Sequence, residues 1–213
     1  VHGFWTPDEG RANPVDVTMS LARGARQRGA RIFEDTEVTD FVLERGRGGT
    51  VRVTGVRTGR GDIACETVVV TDDIFSAPAT EPERRRGIAG DLVVFRAASA
   101  AAGAGYDLAD VARAARRAND LTRTIGVAFD GCTLPGADAP LFGVPEGRMA
   151  IGLGIHGEPG IDEVGIPTAD ELAELLVARL LEEAPSHAGR VVPILNGLGS
   201  VKYEEMFVVY RRI

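Results

Sequence analysis

From about residue 72 onward the sequence alternates strand-forming and helix-forming segments joined by short loops marked with glycine and proline. That alternation restricts this part of the chain to an α/β architecture. Three helices announce themselves by local chemistry. Gly90–Gly103 is apolar on most sides through Leu92, Val93, Val94 and Phe95 and then runs into alanines, the mark of a buried helix. Asp107 caps a second helix whose face is Leu108, Val111, Ala112, Ala115 and Ala118. Thr168-Ala169-Asp170-Glu171 is a capping box, and the helix it opens is expected to reach about Glu183. A last helix is expected over 202–212, with Glu204 and Glu205 in its first turn and Arg211 and Arg212 in its last. Strands are expected over 124–129, 148–155 and 190–195.

Before residue 72 the pattern is different. Asn13-Pro14 opens a helix that Gly29 closes, and strands are expected over 30–33, 37–43, 50–58 and 62–70 with glycine-arginine turns between the last three. The expected class for the whole chain is therefore α/β, a mixed sheet with flanking helices, preceded by a small helix plus β-meander. The expected division is residues 1–71 and residues 72–213.

Charge follows the same division. Residues 1–71 are balanced, and the whole formal net charge of −7 falls on residues 72–213. An acidic domain offers no basic face to nucleic acid. Arg84-Arg85-Arg86 reads as a solvated helix start. No stretch is long and apolar enough for a membrane span, and no signal pattern opens the sequence. The two cysteines, Cys65 and Cys132, lack metal-ligand spacing, which points to a reducing, cytoplasmic setting.

Chemistry concentrates in Gly152-Leu153-Gly154-Ile155-His156-Gly157-Glu158-Pro159-Gly160. The glycines remove bulk from both sides of His156, one of three histidines with His2 and His187. Imidazole titrates near pH 6.5, so a histidine is largely neutral near pH 7 and can act as a base, a metal ligand or a nucleophile toward a ketone. It can equally be a structural residue of a tight turn. A metal is disfavoured, because only Glu158 and Asp162 lie near and no second His or Cys does. Cys132, after the strand over 124–129, reads as a small apolar residue rather than a nucleophile.

Taken in order, Thr122 to Val127, Gly131-Cys132-Thr133-Leu134-Pro135-Gly136, Met149 to Gly160, Asn196-Gly197-Leu198-Gly199 and Glu204 to Tyr210 resemble the substrate-binding K domain of dihydroxyacetone kinases. The resemblance implies that His156 binds a small ketose covalently as a hemiaminal, with Gly154 and Gly157 beside the substrate. It implies selection of ketones over polyols and phosphorylation of a terminal hydroxyl. The phosphate would come from ATP and Mg on a separate L domain or from a phosphotransferase subunit, with no cofactor bound directly and a homo-oligomer as the assembly. The family's Gly-Ser-Gly-His-Glu-Pro loop and its acid/base Asp and His are not in this sequence.

Residues 1–71, through Trp5-Thr6-Pro7-Asp8-Glu9-Gly10, Asn13-Pro14, Arg28-Gly29-Ala30 and Val53 to Thr58, resemble an internal segment of FAD-dependent dimethylglycine/sarcosine-type oxidoreductases. That resemblance implies a backbone contact from Val38 to the adenine. The family's Gly-x-Gly-x-x-Gly loop, which seats the pyrophosphate, is missing, so FAD is not expected. The sequence thus reads as a partial ketose kinase domain joined to a flavoprotein-like fragment. The alternatives are a fragment of an FAD-dependent oxidoreductase and a non-catalytic remnant.

Overall fold

The computed structural model describes residues 14–133, 136–186, 189–199 and 201–213. Asn13, the motif Trp5 to Gly10, Leu134, Pro135, His2 and His187 lie outside the described residues. The chain divides into two compact units between Cys65 and Glu66.

In the first unit, helix α1 (Pro14–Gln27) ends where Gly29 takes φ +90°. The Gly29 N–H donates to the Arg26 carbonyl and the Ala30 N–H to the Ala25 carbonyl, both at 3.0 Å, the paired bonds of a Schellman motif. The expected strand over 30–33 does not form. No ladder partner reaches it, and Arg31 instead lies 4.9 Å over the Phe33 ring. Strands β1 (Val38–Arg45), β2 (Val51–Thr58) and β3 (Gly61–Ala64) make an antiparallel meander. Gly55 is buried in it, where a Cβ would stand 3.0 Å from the Ile63 carbonyl oxygen and 3.3 Å from Val42. β3 was expected to run to residue 70 and stops at Ala64. Beyond it the chain finds a different partner, the Thr71 N–H donating to Asn119 Oδ1 at 2.8 Å.

In the second unit, α2 (Gly90–Gly103) and α3 (Leu108–Asp120) pack against each other. Small residues bring them close, since Ala101, Ala112 and Ala115 are all buried. The Asp107 carboxylate accepts from the Asp110 N–H at 2.8 Å and so caps α3. The start of α2 is held from a distance: the Asp72 side chain is fully buried and accepts from the Ile88 and Gly90 N–H groups at 3.1 and 2.8 Å.

β4 (Val127–Ala128), β5 (Arg148–Ile151) and β6 (Asp162–Gly165) form the second antiparallel sheet, with Val127 opposite Ile151 and Ile151 opposite Asp162. Met149 and Ile151 point from β5 onto Leu172 and Leu176 of α4 (Ala169–Glu182), and Phe75, Ile125, Val127, Val164, Leu175 and Val209 close over them. The capping box at the start of α4 is formed on both sides: Thr168 Oγ1 accepts from the Glu171 N–H, and Glu171 Oε2 accepts from the Thr168 N–H at 2.9 Å. α5 (Tyr203–Tyr210) docks on α4.

The α/β class with flanking helices therefore holds, the described residues forming two small antiparallel sheets and a parallel bridge between Asp73 and Thr124. In the second unit the three expected strands differ from expectation. The segment 124–129 splits its backbone bonds, Thr124 to the 72–74 segment and only Val127–Ala128 to β5. β5 ends at Ile151 because Gly152 adopts φ +73°. No strand forms over the described residues of 190–195, where Val191 and Val192 are exposed. β6 was not expected; it follows the Pro159-Gly160 turn and covers the edge of β5.

Candidate active site

The glycine-flanked histidine sits just beyond the end of β5. Gly152 makes the turn: its N–H donates to the Gly126 carbonyl at 2.8 Å, and its positive φ leads the chain off the sheet. The next residues close a tight loop. The Gly154 N–H donates to the Glu158 carbonyl at 2.9 Å and the Gly157 N–H to the Gly154 carbonyl at 3.0 Å. Ile161 then rejoins β5 through its N–H to the Ile151 carbonyl at 2.9 Å. Gly157 has φ +90° and packs under Phe142, where a Cβ would stand 2.9 Å from Cδ1 of the ring.

At the tip, the His156 side chain is 69% exposed. Glu158 turns back on it. One carboxylate oxygen, Oε2, accepts from the His156 backbone N–H at 3.0 Å, and the other, Oε1, lies 3.2 Å from ring Nδ1. An ionised carboxylate only accepts, so in the neutral ring this contact puts the proton on Nδ1 and leaves the Nε2 lone pair free. The hydrogen bond from its own backbone N–H holds Glu158 below the usual carboxylate range. The His156 N–H groups add to this, and partial burial opposes it.

Behind the loop lies a buried ion pair. Asp73 and Arg86 meet at 2.9 Å, with the Arg86 Nε also 3.2 Å from Asp73 Oδ2, and Arg86 Nη2 donates to the Gly152 carbonyl at 2.9 Å. Burial pushes the Asp73 carboxyl up, against the Phe75 N–H and the Arg86 guanidinium that pull it down. Arg85, next in sequence, is 2% exposed at its side chain and pairs with Glu183 at 2.7 Å. The expectation of a solvated helix start over Arg84-Arg85-Arg86 thus holds for Arg84 alone. The other two are drawn inward by carboxylates distant in sequence.

Of the residues singled out from the sequence, His156, Gly154 and Gly157 come together in one loop. Glu158 had been noted only as a carboxylate near a hypothetical metal, and its role as the partner of the ring was missed. The signal was present, since a carboxylate two residues beyond a histidine in a glycine turn can fold back to it. Cys132 is half-buried, its carbonyl accepting from the Leu141 N–H at 2.8 Å. Val38 stands in the other unit, opposite Thr58 at the end of β1 and 48% exposed. A cavity of about 420 Å³ in that unit is lined by Arg31, Phe33, Thr36, Thr58 and Arg60 among others. Val38 is not among its lining residues.

The Glu158–His156 contact has a definite pH behaviour. Because Glu158 is held below its ordinary value of 4.5, the contact persists above that value and is lost only as pH falls through the depressed one. A carboxyl ¹³C NMR titration of Glu158 should therefore give a midpoint under that of an ordinary glutamate. A midpoint at or above it would contradict the contact.

Among the described residues, no group of three or more His, Cys, Asp or Glu side chains could hold a metal ion, and no helix is long and apolar enough to cross a membrane.

The chain has counterparts among known proteins. The Dak1 domain family matches residues 53–213. The L-erythrulose kinase of Pectobacterium atrosepticum is 55% identical over 199 residues, covering 91% of this chain and 33% of that protein. The dihydroxyacetone-binding subunit DhaK of the PTS-dependent dihydroxyacetone kinase 2 of Listeria innocua is 46% identical over 152 residues, covering 71% of this chain and 45% of that protein. Crystal structures of the dihydroxyacetone kinase of C. freundii, native and with AMP-PNP and Mg2+, align with TM-scores of 0.60 and 0.59 at 38% and 36% identity. They cover 69% of this chain and 26–27% of theirs. The chain spans about a third of the erythrulose kinase and under half of the DhaK subunit. A family match over residues 53–213, with the Gly-Ile-His-Gly-Glu turn inside it, identifies this chain as a member of the Dak1 domain family.

Proposed function

We propose that this chain carries part of the substrate-binding domain of a kinase for small ketoses, and that His156 captures the ketone carbonyl covalently. The observation that carries the proposal is the Glu158 carboxylate 3.2 Å from Nδ1, which leaves Nε2 as an exposed lone pair at the tip of a glycine loop. In the capture step Nε2 adds to the carbonyl carbon. The C=O π electrons move to oxygen, which takes a proton from water, while the Nδ1 proton is relayed past Glu158 back to water. One proton is gained and one lost, so the product is a neutral hemiaminal and nothing leaves. Glycerol has no carbonyl and cannot react. A three- or four-carbon ketose fits the reading, given relatives named for erythrulose and dihydroxyacetone.

The phosphate donor belongs elsewhere in this proposal. ATP and Mg on a separate L domain, or a phosphotransferase subunit, would bring the phosphoryl group to the captured ketose, a reading supported by a relative named as PTS-dependent and by a related kinase solved with AMP-PNP and Mg2+. The setting proposed is cytoplasmic and the assembly a homo-oligomer.

Ketone selectivity gives the test. Dihydroxyacetone or erythrulose should raise the melting temperature of the chain, as a ligand at about 100 times its Kd adds roughly 2.7 kcal/mol. Glycerol at equal concentration should not. Equal shifts from ketose and glycerol would contradict carbonyl capture.

A further inference from the structure

The proposed chemistry at His156 does not use Arg86, yet that guanidinium is the most fully committed cation near the turn. Its side chain is 25% exposed and its partner Asp73 is 2% exposed. Asp73 is itself fixed. Its Oδ1 accepts from the Phe75 N–H at 3.1 Å, and its N–H donates to the Arg86 carbonyl at 3.1 Å. Ser76 completes the clamp, accepting from the Arg86 N–H and donating to the Asp73 carbonyl, both at 2.8 Å. The guanidinium is thereby held in one orientation.

What it holds in turn is the histidine loop. Nη2 reaches the carbonyl of Gly152, the residue at which the chain leaves β5. Nη1 faces Gly154, where a Cβ would stand 2.8 Å from it and 2.7 Å from Glu158 Cδ. Guanidinium and carboxylate thus flank the same glycine. An ion pair serving stability alone has no need of the second reach. Arg85 shows the contrast: it is more deeply buried, but its contacts are Glu183 and the Ala77 carbonyl, away from the loop.

We infer that Arg86, oriented by Asp73, is a positioning residue for His156: it anchors the turn at Gly152 and places a fixed positive charge across Gly154 from the Glu158 carboxylate, so setting which ring nitrogen is presented to the ketone. The inference rests on the capture reading for its purpose, but its geometry can be tested without a ketose. Lysine at 86 keeps the charge and loses the planar fork that meets Asp73 and Gly152 together.

The experiment uses the 213-residue chain with Arg86→Lys, Asp73→Asn and Arg85→Lys. The first readout is the ¹⁵N NMR signature of the His156 ring without ligand, which reports the tautomer. The second is the fraction of ketose captured when dihydroxyacetone is added. Arg86→Lys and Asp73→Asn should give mixed tautomers and at least a tenfold loss of capture. Arg85→Lys should lower the melting temperature and leave both readouts at wild-type values. The inference is overturned if Arg86→Lys keeps the wild-type tautomer, or if Arg85→Lys shifts it as far, since loss of stability would then account for everything. If the wild type captures no ketose, the capture reading falls, and the tautomer comparison still decides the role of Arg86.

Discussion

Replacing Asp72 with alanine should destabilise the second unit by about 3–5 kcal/mol. The reason is convergence. One fully buried carboxylate accepts from the Ile88 N–H, the Gly90 N–H and the Thr124 hydroxyl. Alanine leaves three donors without an acceptor in a dry place, each costing roughly 1–3 kcal/mol in part. It also removes the two carboxylate oxygens that meet the start of α2, whose preceding residue, Ala89, has no cap to give. For a unit of this size the midpoint of thermal unfolding should fall by roughly 6–20 °C. Asp72→Asn, which keeps one oxygen, should lose less. A shift of under about 1 kcal/mol for Asp72→Ala, measured by denaturant unfolding, would contradict this account of α2.

Gly154→Ala should do the opposite: leave the fold and remove the site. The backbone at Gly154 is not in the left-handed region, so alanine brings no strain there. Its Cβ would overlap Glu158 Oε2 and stand 2.8 Å from Arg86 Nη1; the half-exposed carboxylate can swing away at little cost to stability, whereas the guanidinium stays held by Asp73. In doing so the carboxylate leaves Nδ1. Ketose capture should drop by at least about a hundredfold, the scale of losing a group that orients a reacting residue, while melting stays close to wild type. Gly157→Ala is a different case. Its φ of +90° and its contact with Phe142 make that substitution strained as well as crowded, so loop geometry and stability should fall together.

Sequence and structure agree best where the signal is local. α2 and α4 match their expected spans within a residue, because the capping box at Thr168 and the glycines bounding α2 act over a few positions. Strands are less legible, since a ladder needs a partner the segment cannot name. The segments 30–33 and 190–195 have the composition of strands and no neighbour to pair with, whereas β6 has unremarkable composition and forms because the Pro159-Gly160 turn returns it to β5. The same logic divides the site. His156, Gly154 and Gly157 are adjacent in sequence and could be read together. Arg86 looked solvated because its partners lie far along the chain, at Asp73 and at Gly152, 13 and 66 positions away. A run of three arginines carries no mark of which one faces inward. Burial by distant carboxylates decides that.

The central claim is that His156 forms a carbon–nitrogen bond to a ketone. ¹³C NMR of the chain with dihydroxyacetone labelled at its carbonyl carbon tests it most directly. The account predicts a bound signal in the tetrahedral range that is present in the wild type and absent in His156→Asn. A bound ketose whose carbonyl carbon stays in the ketone range, or a tetrahedral signal that survives in His156→Asn, would contradict it.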